Sequence, residues 1–130
     1  MYKNDFRKLF VGPFAAVPIP FDADYQVDLG AMHAMVQRMV DGGVSRGDGV
    51  IKIASAIGEG PMLSDDEWPT LLRTAVLPSR NRAPVMLGIH HKDTVKTKED
   101  AKRAADLGAV GLQVAPPIYN RTCTNTTRCE

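Results

Sequence analysis

Short apolar runs alternate with longer amphipathic segments along this chain. The apolar runs, which we predict to be β-strands, are 14–19, 50–54, 84–89 and 110–115. They contain few polar residues, as is typical of strands covered on both faces of a parallel sheet. Between the runs, apolar residues recur every three or four positions, which is the period of an α-helix. The pattern therefore predicts the order β-α-β-α-β-α-β, with helices packed on a parallel sheet.

The predicted helices begin at residues that can cap them. Asp28 is the expected N-cap of the first helix. Ser64 and Glu67 have the spacing of a capping box for the second helix, and Pro69 is expected to disturb its first turns. Thr97 is expected to cap the third helix. These capping residues place the helix starts between the predicted strands.

The spacing of the strands indicates a larger architecture. Strand centres are roughly 30 residues apart, and a (β/α)8 barrel needs roughly 250 residues for eight such units. We therefore predict an α/β fold, a partial (β/α)8 barrel of about four parallel βα units, which is half of a TIM barrel. The expected strand order is 1-2-3-4, with the helices on the outside. A small doubly wound sheet is the alternative, but Pro20-Phe21-Asp22 follows the first strand where a glycine-rich phosphate-binding turn is expected. We predict that 1–121 form the half-barrel and 122–130 a disordered tail.

Composition and charge exclude several classes of protein. The net charge is +1, so nucleic acid and anionic membranes are not expected partners. No apolar run approaches the roughly 18 residues that span a bilayer, and 1–10 lack the apolar core of a signal peptide. We therefore expect a cytoplasmic protein. Cys123 and Cys129 have no histidine or second cysteine pair beside them, so we predict free thiols and no metal site.

The most informative segment is the loop 54–64, which connects the second strand to the capped helix. It reads Ala-Ser-Ala-Ile-Gly-Glu-Gly-Pro-Met-Leu-Ser. Loops at the carboxyl ends of parallel strands carry the active sites of barrel enzymes. The sequence therefore predicts that this loop contributes to a site.

Several short motifs follow one another along roughly residues 10–121. They include Ala15-Ala16-Val17-Pro18-Ile19-Pro20-Phe21, Gly42-Gly43-Val44, Ile57-Gly58-Glu59, Leu63-Ser64, Gly108-Ala109 and Pro117-Ile118-Tyr119-Asn120. Taken in this order, they resemble the dihydrodipicolinate synthase/N-acetylneuraminate lyase family. The resemblance implies class I aldolases and hydro-lyases with a (β/α)8 barrel, in which a lysine after the sixth strand forms an imine with pyruvate or another 2-oxo acid. A protonated imine stabilises the neighbouring carbanion, so no cofactor is implied.

The resemblance also assigns site residues. Tyr119 matches the catalytic tyrosine that relays protons after the fourth strand. Ser55, Ala56 and Ile57 fill the substrate-binding loop, which commonly reads Gly-Thr-Thr-Gly-Glu in the family. Both threonine hydroxyls are missing, so backbone N–H groups are left to bind the substrate carboxylate. Ser55 contributes a hydroxyl only if the loop shifts by one residue, and Glu59 is expected to support the loop.

The family's imine-forming lysine belongs to a segment that this sequence does not contain. We therefore expect the chain, as a truncated fragment, to be inactive. The alternative is a non-catalytic half-barrel that self-associates or binds a partner through its open sheet edges. The loss of apolar pattern after Arg121 is typical of a shifted reading frame.

Two further signals lie near the predicted strands. Lys52, on the second strand, is either a substitute nucleophile that faces the barrel interior or, as we favour, a lysine that reaches solvent or ends the strand. Neighbouring strand residues point to opposite faces, so His90 and His91 are not expected to bind one metal. We favour a solvent-facing loop for this pair over contact with substrate.

Overall fold

The computed structural model describes residues 6–90 and 93–115. Their four strands form one parallel sheet in the order β1-β2-β3-β4, which confirms the predicted fold class and strand order. A short helix at the start was not predicted. The elements are α1 (Phe6–Leu9), β1 (Phe14–Ala16), α2 (Leu29–Asp41), β2 (Val50–Ile53), a 3₁₀ turn (Gly60–Met62), α3 (Glu67–Ser79), β3 (Val85–Ile89), α4 (Thr94–Asp106) and β4 (Gly111–Val114).

The helix starts agree with the predicted caps at one of three positions, since α3 begins at Glu67 with Asp66 as its N-cap and Ser64 lies two residues before that cap. The Asp28 carboxylate accepts a hydrogen bond from the Ala31 N–H at 2.8 Å. The prediction for α4 was wrong, because Asp93 is its N-cap and accepts from the Val95 N–H at 2.8 Å. Thr97 lies inside the first turn of α4, where its hydroxyl donates to the Asp93 carbonyl at 2.8 Å. Both residues can cap a helix, and the apolar pattern did not separate them.

The capping box before α3 is formed in both directions. The Ser64 N–H donates to Glu67 Oε2 at 2.8 Å, and the Glu67 N–H donates to Ser64 Oγ at 3.2 Å. Pro69 is the third residue of α3, where a missing N–H removes no intrahelical hydrogen bond. The helix continues past it to Ser79.

Loss of the Ser64 side chain is expected to destabilise the fold modestly. Ser64→Ala removes the acceptor for the Glu67 N–H and should lower the free energy of unfolding by about 1 kcal/mol. Ser64→Asp is the matched control, because its carboxylate can accept the same bond and should keep the wild-type stability. Urea unfolding followed by circular dichroism measures both. Equal losses in the two variants would contradict this role of Ser64.

One face of the sheet forms the core with α2 and α3. Alternate strand residues point to these helices and are buried, and the helix residues that meet them are equally buried. The core residues include Ile51, Ile53, Val85, Leu87, Met32, Val36, Leu71 and Leu72. Small side chains on α4, such as the buried Ala104, let this helix approach the sheet closely.

The opposite face of the sheet, here called the inner sheet face, has no helix packed on it. Its residues follow from the strand register and are Phe14, Ala16, Val50, Lys52, Met86, Gly88, Gly111 and Gln113. The Phe10 ring covers the amino-terminal end of this face and packs against Gly111, where a Cβ would lie 2.6 Å from the ring. The remainder of the inner sheet face is partly exposed to solvent, and the Phe14 side chain is 48% exposed.

We expect the chain to self-associate rather than remain a well-packed monomer. β1 and β4 each have one neighbouring strand, and the inner sheet face exposes apolar side chains. Open edges and exposed apolar surface favour association. Sedimentation velocity should show a dimer, larger species or a loosely packed state. A monomer with a cooperative thermal transition would contradict this expectation.

Across the described ranges, every helix is too short or too polar to cross a membrane.

Candidate functional site

The loop after β2 is held in shape by its own hydrogen bonds. Ser55 is 2% exposed, and its Oγ accepts a hydrogen bond from the Gly58 N–H at 3.2 Å. The Ser55 carbonyl accepts from the Gly60 N–H at 2.8 Å. The Ser55 hydroxyl therefore fixes the turn from inside the protein and is not presented at the surface. This placement suits a residue that positions its neighbours.

Ala56 and Ile57 lie at the exposed tip of the loop. Ile57 is 88% exposed, and Ala56 is also exposed. Within the part of the chain that the structure describes, neither backbone N–H has a hydrogen-bond acceptor. Successive N–H groups without acceptors bind anions, including carboxylates. The two residues therefore offer a pair of donors at the carboxyl end of β2.

The carbonyl of Ala54 anchors the start of the loop. Ala54 has a φ of +51°, in the left-handed region that non-glycine residues rarely adopt. A Cβ on Gly60 would lie 1.8 Å from this carbonyl oxygen, and a Cβ on Gly88 would lie 2.2 Å from it. The loop therefore depends on glycine at two positions that are distant in sequence.

His90, the residue after β3, contacts the same carbonyl. Its Nε2 lies 2.9 Å from the Ala54 oxygen, and since a carbonyl only accepts, the Nε2–H is the donor. His90 is half-buried, so the favoured solvent-facing interpretation was wrong for this residue. His91 lies outside the described residues. No local pattern predicts the His90 contact, because 36 residues separate its two partners.

Behind the loop, a cavity of about 390 Å³ opens towards α3 and α4. Trp68, His90 and the buried Asp100 line it, and neither Trp68 Nε1 nor His90 Nδ1 has a hydrogen-bond partner among the described residues. Near its rim, Lys96 Nζ lies 3.0 Å from Asp65 Oδ2. This hydrogen bond raises the pKa of Lys96. The cavity lies at the carboxyl end of β3, between the loop and the start of α3.

Lys52 lies on the inner sheet face and not at the end of its strand. It is the third of the four residues of β2, and it is aligned with Ala16 on β1 and Met86 on β3. The interpretation of Lys52 as a strand-end residue was therefore wrong. Its side chain is half-buried and forms no hydrogen bond or ion pair with any described residue.

Comparison with known proteins identifies the family. The profile of the dihydrodipicolinate synthetase family matches residues 9–128. The chain belongs to this family. The resemblance to this family that the loop and strand motifs indicated is therefore confirmed.

Several relatives of this family cover the chain well but are much longer. A 4-hydroxy-tetrahydrodipicolinate synthase of Exiguobacterium sp. is 35% identical over 114 residues, which are 88% of this chain and 38% of the relative. The same enzyme of Xanthomonas axonopodis pv. citri is 38% identical over 110 residues, or 85% of this chain and 35% of the relative. The chain thus spans little more than a third of these relatives.

Solved structures of the family share the fold. A putative dihydrodipicolinate synthetase from Pseudomonas aeruginosa matches with a TM-score of 0.76 and 32% identity, over 85% of this chain and 37% of that one. YagE, a prophage protein of Escherichia coli K12 solved in complex with pyruvate, matches with a TM-score of 0.77 and 27% identity, over 88% and 37% of the two chains. The coverage agrees with half of a barrel.

The residue that the family resemblance names as catalytic, Tyr119, lies outside the described residues. The same is true of the predicted tail and its two cysteines. The catalytic role of Tyr119 therefore stays a prediction.

Proposed function

We propose that this chain supplies the carboxylate-binding half of an imine-forming lyase, an aldolase or hydro-lyase that acts on pyruvate or another 2-oxo acid. The observation that carries the proposal is the pair of backbone N–H groups at Ala56 and Ile57. They have no acceptor in the described structure, and they lie at the carboxyl end of a barrel strand in a family with this chemistry. Active sites of barrel enzymes lie at this end.

The two N–H groups are suited to bind the carboxylate of the substrate. A 2-oxo acid carries a carboxylate beside the ketone that reacts, so binding the carboxylate orients the ketone towards the barrel interior. The buried Ser55 hydroxyl holds the turn that presents both donors. Ala56 and Ile57 have no hydroxyl groups, so proton transfer at this position would have to use another residue, and Tyr119 is the family candidate.

Amide chemical shifts test this proposal directly. Addition of pyruvate at millimolar concentration to the 15N-labelled chain should shift the amide signals of Ala56 and Ile57 more than those of α2. Ile57→Pro removes one donor and should weaken the shift at Ala56, whereas Ile57→Ala keeps the N–H and is the control. Pyruvamide, which lacks the carboxylate, should have little effect. Equal responses to pyruvate and pyruvamide would contradict carboxylate binding.

A second candidate function is favoured by the inner sheet face. Exposure of Phe14 and the open edges of β1 and β4 fit a non-catalytic half-barrel that binds another polypeptide. The two candidates differ in one measurement. Carboxylate binding at Ala56 supports the first, and association that is unaffected by pyruvate supports the second.

A further inference from the structure

The Ala54 carbonyl depends on a side chain for its hydrogen bond. Ala54 is 2% exposed and follows the last residue of β2, and its φ of +51° takes the backbone out of the strand conformation. Among the described residues, His90 Nε2 is the only hydrogen-bond donor to this oxygen, at 2.9 Å. A buried carbonyl without a donor is unfavourable. His90 therefore satisfies a backbone group that the parallel sheet leaves unpaired.

Gly88 provides the space in which this contact forms. A Cβ at Gly88 would lie 2.2 Å from the Ala54 oxygen and 3.0 Å from His90 Nε2. The φ of Gly88 lies outside the left-handed region, so this position needs the missing side chain and not the conformational freedom of glycine. Gly88 and His90 are two residues apart at the carboxyl end of β3. This short segment thus supplies both the donor and the room for it.

The ring of His90 is held in one tautomer. The Ala54 carbonyl can only accept, so the proton of the neutral ring lies on Nε2. The other ring nitrogen, Nδ1, is buried and has no hydrogen-bond partner among the described residues. No described acceptor therefore competes with the Ala54 carbonyl for the ring proton, and the contact has a fixed direction.

The orientation of the Ala54 carbonyl determines how the loop continues. Ser55 follows Ala54 directly and closes the turn through its Oγ and its carbonyl, which accept from two glycine N–H groups at 3.2 and 2.8 Å. Ala56 and Ile57 lie inside this turn, so rotation of the Ala54 peptide would redirect their N–H groups. Hydrogen bonds weaken steeply once the donor angle falls below about 120°. The two donors therefore depend on the contact that His90 makes behind them.

We propose that His90 is a positioning residue of the candidate carboxylate site. It acts through the Ala54 carbonyl and sets the direction in which Ala56 and Ile57 present their N–H groups. The inference rests on the proposed function for the ligand that these groups bind. The effect of His90 on the loop itself can be measured without a ligand.

Two amide variants test this role. In His90→Gln the side-chain amide nitrogen takes the place of Nε2 and can still donate to the Ala54 oxygen, whereas in His90→Asn it takes the place of Nδ1 and does not reach. Titration of the 15N-labelled chain with pyruvate should show about tenfold weaker binding for His90→Asn and binding within about twofold of the wild type for His90→Gln. His33→Asn, at an exposed position of α2, is the matched control and should bind as the wild type does. A purely structural role of the ring would affect the Gln and Asn variants equally and would overturn the proposal.

Spectra recorded without pyruvate separate this inference from the proposed function. The amide signals of residues 55–60 should move in His90→Asn and stay in place in His90→Gln. A wild-type chain that shows this pattern but does not respond to pyruvate would contradict 2-oxo acid binding and still support His90 as the residue that sets the loop. Unmoved loop signals and unchanged pyruvate binding in His90→Asn would overturn the positioning role.

The wild-type ring provides a measurement that needs no variant to fold. Imidazole 15N spectra distinguish the two neutral tautomers, and the proton of His90 should lie on Nε2. The exposed His33, whose ring has no such contact among the described residues, serves as the internal comparison. A His90 proton on Nδ1 would leave Nε2 unable to donate to the Ala54 carbonyl, and the proposal would then be wrong.

Discussion

The 130-residue chain, incubated with pyruvate and then reduced with borohydride, is expected to gain no covalent mass. Borohydride converts an imine between a lysine and pyruvate into a stable adduct, so the experiment detects the first step of the proposed chemistry. The lysine that forms this imine in the family has no counterpart in the motifs that this sequence matches. Loss of one member of a cooperative catalytic unit costs several orders of magnitude in rate. Lyase turnover should therefore be below detection.

The full-length synthase of Exiguobacterium sp., which is 35% identical over the shared region, is a suitable positive control. It should gain the mass of one reduced pyruvate under the same conditions. Peptide mass spectrometry of the short chain then identifies any modified lysine. A stoichiometric adduct on Lys52 would contradict our expectation, because Lys52 faces the inner side of the sheet and is the described lysine best placed to form an imine in place of the family's lysine.

The elements of this fold could be predicted from the sequence because their signals are local. Val50–Ile53 is almost wholly apolar, and such runs form strands covered on both faces. Ser64 and Glu67 lie three residues apart, which brings both side chains within reach of the backbone at one helix end. The strand order then followed from the right-handed βαβ connection.

The contacts of the loop could not be predicted, because they join distant parts of the chain. The Ala54 carbonyl meets His90 across 36 residues, and no spacing rule connects an alanine with a histidine at that separation. Similarly, Thr97 and Asp93 are both plausible caps, and the choice depends on where α4 packs against β3 and β4. Tertiary packing therefore decided the features that shape the candidate site.

The close approach of Gly60 to the Ala54 carbonyl makes Gly60→Ala the stability variant with the largest expected effect. A Cβ at this position would lie 1.8 Å from the Ala54 oxygen and 2.3 Å from its carbon. Both contacts are with backbone, so no side chain can rotate away and the loop itself must move. We expect a loss of about 2–4 kcal/mol in the free energy of unfolding, measured by urea titration.

Trp68 is the chain's only tryptophan, is 7% exposed and lines the cavity behind the loop, so its fluorescence reports this unfolding directly. Gly30→Ala is the matched control, because a Cβ there lies 3.4 Å from Asp28 Oδ1 and alanine favours the helix. Its stability should equal or slightly exceed that of the wild type. The Gly60→Ala change should also move the amide signals of Ala56 and Ile57, since both follow the carbonyl that would be displaced. Wild-type stability with unmoved signals would show that the loop does not depend on this contact. Other contacts would then have to hold the N–H groups of Ala56 and Ile57 in place.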